Sequence, residues 1–245
     1  MEINGNRVGN TFNSAVLDDA EKLKAALSSC LTNVFLQMFT ALLVTAFCAY
    51  AVAIFDFLQS IIFASKFTFY GLLIAEFALV IVISICIDKI SAAAANALFF
   101  LYAAVNGLTI SSIFFVYNIG VIYNAFGISA LMFAAMAGYG VLTRRDLSSV
   151  GSICIMALIG IILASLINFF LRSAMLDCLI CYAGVLIFIG LTAYDTQRIK
   201  KMLAETGGAN REEAIQRISV IGALSLYLDF INMFLMILRI MGRRR

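Results

Sequence analysis

The sequence predicts an all-α polytopic membrane protein, and two observations carry that prediction. The first is composition: of 245 residues, 63% are hydrophobic and 13% are charged, with a mean hydropathy of +1.03. A soluble domain has about 45–50% apolar and about 25% charged residues. The second is that charged residues divide the chain into apolar runs long enough to cross a bilayer. We expect one transmembrane domain, 27–245, preceded by a polar tail, 1–26.

The predicted tail precedes the first apolar run. Met1 to Lys24 is polar and mixed in charge, and it lacks the basic start, apolar core and cleavage site of a secretory signal. We therefore expect the tail to remain in the cytoplasm. Its last part, Ser14 to Ala26, is compatible with either a short interfacial helix or a disordered segment.

Seven apolar segments reach the length of about 20 residues that a transmembrane helix needs. The uncharged run 90–143 would measure about 80 Å as a single helix, so it must turn, and Tyr117–Gly120 is the expected turn. A polar loop, Arg198–Arg217, is expected between the last two spans. The predicted spans are 25–55, Phe67–Ile87, the two halves of 90–143, Leu147–Leu171, Ala174–Thr196 and Ile218–Leu238.

The distribution of lysine and arginine predicts the orientation. With seven spans, eleven of these residues lie on the side of the N-terminus and six on the other side. Because basic residues favour the cytoplasmic side, the N-terminus is predicted to be cytoplasmic. Four of the six are at the extreme C-terminus, so a re-entrant last segment broken near Asp229 is the alternative to a full seventh span.

Several residue types are informative because they are missing. The chain has no histidine, the commonest transition-metal ligand, and no proline. It has no glycine-rich phosphate loop, and its only basic run is Arg243–Arg245. Nucleotide and nucleic-acid binding are therefore not expected, and neither is a resident cofactor. The six cysteines lie mostly in apolar runs, where they are expected to act as small packing residues.

Apart from Asp177, which lies near the start of the sixth predicted span, three carboxyl groups fall within predicted spans, namely Glu76, Asp195 and Asp229. A carboxylate in a hydrophobic segment costs several kcal/mol unless it is partnered, protonated or hydrated, so each is a candidate functional residue. Ser225 and Asn232 share a helical face with Asp229, and we expect that face to point into the bundle. Together with Glu76 and Asn106 they are possible lining residues of a pathway. The alternative is that these polar groups only bond neighbouring helices.

Two motifs resemble the signature of the Bax inhibitor-1 family of transmembrane proteins in its bacterial form. They are Gly190–Lys200, with the sequence GLTAYDTQRIK, and Leu226–Asn232, with the sequence LYLDFIN. The span pattern and Asn106–Thr109 are also similar, so the resemblance covers roughly Leu31 to Arg239. It implies a multi-pass protein of the bacterial cytoplasmic membrane with seven helices, the last one central and wrapped by the other six.

The resemblance also implies a function and a site. It identifies Asp195 and Asp229 as a pair that shares a proton and gates a calcium leak in a pH-dependent way, without enzymatic activity. Two carboxylates in a low dielectric cannot easily both ionise, so they titrate as a unit. Once ionised they would bind Ca²⁺ weakly, as permeation requires. Some family members latch this pair with an arginine in the second span, where this chain has Glu76.

Two other functions are considered. An intramembrane aspartyl protease would use the same two aspartates, but Leu226–Leu228 replaces the Gly-x-Gly that precedes the second aspartate in such enzymes, and their Pro-Ala-Leu motif is missing. An interaction protein is the other alternative. Bacterial relatives are similar to modulators of a membrane-bound ATP-dependent protease, and Met1–Lys24 would then be the handle for that partner.

Overall fold

The computed structural model describes residues 5–63, 65–87, 89–206 and 211–243, and every regular element within these ranges is an α-helix. Each apolar run is helical, because a backbone in lipid must satisfy its hydrogen bonds internally. The helices are α1 Gly5–Ile54, α2 Asp56–Phe63, α3 Lys66–Cys86, α4 Ala92–Ile110, α5 Ile113–Val116, α6 Ile119–Leu142, α7 Ser148–Leu171, α8 Ala174–Glu205 and α9 Arg211–Gly242.

Seven segments of the described chain are long and apolar enough to cross a membrane, which confirms the predicted number. The predicted turn in the long uncharged run is also confirmed, because α5 ends at Val116 and α6 begins at Ile119. Asn118 caps α6 by accepting a hydrogen bond from the Gly120 N–H at 2.9 Å. The seven segments are Ser28–Ile54, Phe67–Cys86, Ala92–Val116, Ile119–Leu142, Ser148–Leu171, Ala174–Glu205 and Glu212–Gly242.

The predicted polar loop Arg198–Arg217 is wrong. Helix α8 continues to Glu205, and α9 already begins at Arg211. Hydropathy reports which residues suit lipid, whereas lysine, arginine, leucine, alanine and glutamate all favour a helix in water too. Both helices therefore extend beyond the apolar run. Helix α9 passes through Asp229 without a break, so the re-entrant alternative is also wrong.

The N-terminal segment differs from both alternatives considered for it. Helix α1 begins at Gly5 and continues without interruption into the first span, giving 50 residues and a length of about 75 Å. Ser14–Ala26 is therefore neither a separate interfacial helix nor a disordered segment. Residues 1–4 lie outside the described residues, and the cytoplasmic location of the tail stays a prediction.

In an apolar stretch of 18 residues taken from each span, α9 has the largest buried share, 67%, compared with 6% for α3 and 11% for α7. It packs against α1, α4, α6 and α8, whereas α3 packs mainly against α4 and α7 mainly against α8. The last helix thus lies deep in the bundle. A complete wrap by all six other spans is not confirmed, because α3 and α7 form an outer layer.

Candidate functional site

The register between α8 and α9 decides where the two aspartates lie. The helices are antiparallel neighbours: Gly222 faces Ile199, and Gly184 faces Met236. The same register places Asp195 beside Ser225, and both line one narrow cleft. Because Asp229 lies four residues after Ser225, it is about 6 Å deeper than Asp195 along the helix axes.

The directions of the two aspartate side chains compensate for this difference in depth. In any α-helix the Cα–Cβ bond tilts toward the N-terminus of that helix. In an antiparallel pair, Asp195 therefore leans toward the level of Asp229, and Asp229 leans toward the level of Asp195. The charges of the two carboxyl groups interact. The structure thus brings together the two residues that the sequence motifs single out.

The pair lies in a nearly dry environment. Asp229 is only 5% exposed, and its Oδ2 has no hydrogen-bond partner among the described residues. Asp195 is half-buried, and the positive charge acting on it belongs to Arg198, which is exposed at the rim. The cleft is lined by Asp195, Arg198, Ile199, Met202, Ile221, Gly222 and Ser225. Two adjacent acids with one exposed guanidinium can hold a proton between them more easily than two negative charges.

Glycines of two neighbouring helices allow α6 and α7 to pack closely against α8 just before Asp195. A Cβ atom at Gly140 of α6 would lie 2.4 Å from the Ala193 carbonyl oxygen, and one at Gly151 of α7 would lie 2.4 Å from the Tyr194 ring. Only glycine permits these approaches without a shift of the backbone or the ring. The backbone of α8 is consequently held in place around Asp195 by two neighbouring helices.

The basic end of the first motif holds the loop between α6 and α7. Gln197 is buried; its Oε1 accepts a hydrogen bond from the Leu147 N–H at 2.9 Å, and its Nε2 donates to the Arg145 carbonyl at 2.8 Å. Lys200 Nζ donates to the carbonyl of Val141 in the last turn of α6, at 2.9 Å. These contacts form a clamp on the loop 143–147, and the sequence reasoning did not predict it.

Lys201 extends this clamp outside the membrane by pairing with Asp146 at 2.5 Å. The hydrogen bond from Lys201, followed by those from the hydroxyl and backbone N–H of Ser148, lowers the pKa of Asp146 to about 2. The available sequence signal was spacing: residues 197, 200 and 201 recur at three and four residues and so share one face of α8.

The other predicted site residues fall into two groups. Ser225 lies in the cleft with Asp195, whereas Asn232 donates from Nδ2 to the Leu228 carbonyl of its own helix at 2.9 Å. Glu76 lies beside Asn106, which accepts a hydrogen bond from the Tyr227 hydroxyl at 3.0 Å. No contact recorded for the described residues joins Glu76 or Asn106 to the aspartate pair. Their role in lining a pathway stays a prediction.

Weak calcium contact at the pair also stays a prediction. Ca²⁺ takes six to eight oxygen ligands. Asp195, Asp229 and the hydroxyl of Ser225 would supply part of that number, and backbone carbonyls and water would have to supply the rest. Among the described residues there is no group of three or more histidine, cysteine, aspartate or glutamate side chains placed to hold a metal ion.

Comparison with known proteins agrees with the motifs. The family model described as "Inhibitor of apoptosis-promoting Bax1" matches residues 27–245. The inner membrane protein YbhL of Escherichia coli K12 is 46% identical over 228 residues, covering 93% of this chain and 97% of the relative. An uncharacterised protein of Borreliella burgdorferi is 46% identical over 215 residues, which is 88% of this chain and 92% of the relative. An uncharacterised membrane protein of Streptococcus pyogenes serotype M3, SpyM3_0260, is 43% identical over 186 residues, which is 76% of this chain and 79% of the relative.

The helical architecture, the seven apolar spans and the aspartate motifs of α8 and α9 agree with these matches, which cover nearly the whole transmembrane region. The chain therefore belongs to the Bax inhibitor-1 family and is a multi-pass inner membrane protein.

Proposed function

We propose that this protein is a pH-sensitive leak for cations, principally Ca²⁺, and that it is not an enzyme. The observation that carries the proposal is the carboxyl pair between α8 and α9, in which Asp229 is buried and its Oδ2 has no hydrogen-bond partner among the described residues. An acid is a costly way to obtain a packing contact within a membrane. Its presence beside a second acid is better explained by a proton or cation that binds and leaves.

The proposed mechanism follows from the two protonation states of the pair. With one proton bound, Asp195 and Asp229 share a hydrogen bond and hold α8 against α9. Without that proton the two carboxylates repel each other, and at the same time they present oxygen ligands to a cation. The repulsion acts across the contact between α8 and α9, so we propose that this contact loosens when the proton leaves.

The test is Ca²⁺ flux into proteoliposomes between about pH 5 and pH 8, a range that brackets a carboxyl pair sharing one proton. Wild type should show a pH-dependent flux, and Asp195→Asn and Asp229→Asn should each remove most of the pH dependence. Asp177→Asn is the matched control, because it changes the other aspartate of α8, at the opposite end of the helix. It should leave the pH profile unchanged.

If folded protein gave no flux above that of empty liposomes at any pH, the proposed leak function would be wrong. If the pH profile of the flux were the same in wild type and in both pair variants, the protein would still be a leak, but the two aspartates would not control its pH dependence.

A second candidate function rests on the N-terminal helix. About 23 residues of α1, from Gly5 to Leu27, precede the first span. At 1.5 Å per residue this arm is about 35 Å long. We propose that it is a handle for a membrane-bound ATP-dependent protease. Deleting residues 1–24 should abolish co-purification with such a protease and spare Ca²⁺ flux; unchanged co-purification would contradict the handle.

A further inference from the structure

A second polar group lies on the other side of α9 from the aspartate pair. Glu76 is near the middle of its span, about 14 Å from Phe67 at 1.5 Å per residue. Only 6% of an apolar 18-residue stretch of that span is buried inside the protein, so most of α3 faces lipid. The Glu76 side chain is instead half-buried and faces Asn106 and Thr109 of α4. The single acid of α3 is thus placed on the narrow face that contacts the bundle.

The surroundings of Glu76 contain no positive charge among the groups that act on it in the described structure. Those groups are the amide of Asn106, the hydroxyl of Thr109 and the phenols of Tyr102 and Tyr227. Glu76 Oε1 is buried and has no hydrogen-bond partner among the residues that the structure describes. An ionised carboxylate in hydrocarbon needs a cation, a dense set of donors or water. The neighbours of Glu76 carry no positive charge and offer too few donors to stabilise an ionised carboxylate.

The hydrogen bonds around Glu76 suit a neutral carboxyl group. Tyr227 donates to Asn106 Oδ1, which leaves the Asn106 NH₂ group as a donor toward Glu76. Thr109 donates its own hydrogen to the Val105 carbonyl, at 3.3 Å, so its oxygen remains free to accept. Glu76 is therefore offered one donor and one acceptor. A protonated carboxyl group can use both, whereas a carboxylate has no hydrogen to give.

The hydrogen bonds of Asn106 also connect the surroundings of Glu76 to the centre of the bundle. The Tyr227 hydroxyl lies 2.7 Å from the hydroxyl of Thr45, which itself bonds the Ala103 carbonyl at 2.9 Å. Tyr227 is completely buried and belongs to α9, two residues before Asp229. Helices α1, α4 and α9 thus meet around Tyr227 and Asn106, and Asn106 is the residue that Glu76 of α3 faces.

We propose that Glu76 is a second proton-binding site, separate from the aspartate pair, at which the carboxyl group holds its proton against Asn106 and Thr109 in the middle of the bilayer. The proton comes from water on either side of the membrane and binds the carboxylate directly, so no other reactant is needed. The proposal does not depend on calcium flux.

The test is infrared difference spectroscopy on the full chain in liposomes, titrated with pH. Replacing Asp195 and Asp229 with asparagine removes the signals of the pair. In that background a protonated-carboxyl band should remain, and Glu76→Gln should abolish it. Glu213→Gln is the matched control, because Glu213 is an exposed acid paired with Arg217. It should leave the band unchanged.

A conservative variant separates a proton site from a merely structural residue. Thr109→Val keeps the shape of the side chain and removes the acceptor, so it should shift the frequency of the Glu76 band without abolishing it. Unchanged secondary structure by circular dichroism shows that each variant is folded. The proposal is overturned if the remaining band is the same with glutamate and glutamine at position 76. It is also overturned if Na⁺, K⁺ or Ca²⁺ abolishes the band at constant pH, which would make this a metal-cation site.

Discussion

The two ends of the α8–α9 helix pair use aspartate in opposite ways. At one end Asp177 pairs with Arg239 of α9 and with Arg243, which directly follows α9, and Arg243 also donates to the Ala174 carbonyl at 3.0 Å. At the other end Asp195 meets Asp229, and Arg198 is the cation at the rim. Asp177 and Asp195 are 18 residues apart on one helix, or about 27 Å. Helix α8 therefore carries one aspartate that is paired with arginines, Asp177, and one that lies beside a second aspartate, Asp195.

This difference shows which carboxyl group has a structural explanation and which does not. The ion pairs of Asp177 are part-exposed contacts that join two helix ends, and α8 and α9 would pack in the same way without a ligand. The acid pair offers no such benefit, because each carboxylate is more costly in the presence of the other. Packing accounts for the Asp177 end. We propose that a bound proton or cation accounts for the Asp195 end.

The largest expected effect comes from pushing α6 away from α8 at the Asp195 end. Gly140→Ala would place a Cβ atom 2.4 Å from the Ala193 carbonyl oxygen, and overpacking of this kind typically costs about 1–3 kcal/mol. Unfolding in detergent should reveal the loss. Gly138→Ala, two residues earlier in α6, meets nothing within 4 Å. It should be neutral or stabilise by about 0.4–1 kcal/mol. Equal stability of the two variants would contradict the close helix contact.

Breaking the loop clamp should have the next largest effect. Gln197→Leu leaves the N–H of Leu147 and the carbonyl of Arg145 without their partner, and an unsatisfied buried group costs about 1–3 kcal/mol. The free energy of unfolding should fall by about 2 kcal/mol, and the Leu147 amide should exchange its hydrogen faster. Gln197→Glu retains the acceptor for Leu147 and should protect that amide partly. Unaltered exchange in Gln197→Leu would show that the loop is held by other contacts.

The ion-paired end should respond weakly. Asp177→Asn removes part-exposed salt bridges, each worth about 0–1 kcal/mol. We expect a loss of no more than about 1 kcal/mol that shrinks further in high salt. Asp229→Asn removes no ion pair and should not share this salt dependence. A large loss in Asp177→Asn would mean that the two ends are more alike than the contacts indicate.

The smallest effect concerns Asp146, which lies outside the membrane. Its pKa in the folded protein is about 2 because Lys201 donates a hydrogen bond to it, compared with about 3.9 for an ordinary aspartate. A lowered pKa stabilises the folded state above about pH 4, and that contribution is lost as the pH falls toward about 2. Lys201→Met should return the pKa of Asp146 toward 3.9. A carboxyl NMR titration measures it, and an unchanged pKa would assign the effect to Ser148.

The spans were predictable because charged residues mark where lipid ends. The ends of α8 and α9 were not, since lysine and arginine continue a helix in water as readily as leucine continues it in lipid. The pairing of Asp195 with Asp229 was implied only by the resemblance, because the sequence does not give the register between two helices. The clamp at Gln197 was missed because a glutamine at the end of a span has no distinctive pattern in a single sequence.

The sequence by itself determined the fold class, the number of spans and the candidate acids, because the cost of placing a side chain in lipid depends chiefly on residue type. The tertiary structure alone decided which acids meet. The antiparallel register offsets Asp195 and Asp229 by about one turn, and their side chains lean toward each other across that offset. It also placed Glu76 beside Asn106 on the other side of α9. Such pairings depend on helix register and side-chain direction, which only the packing of whole helices against one another decides.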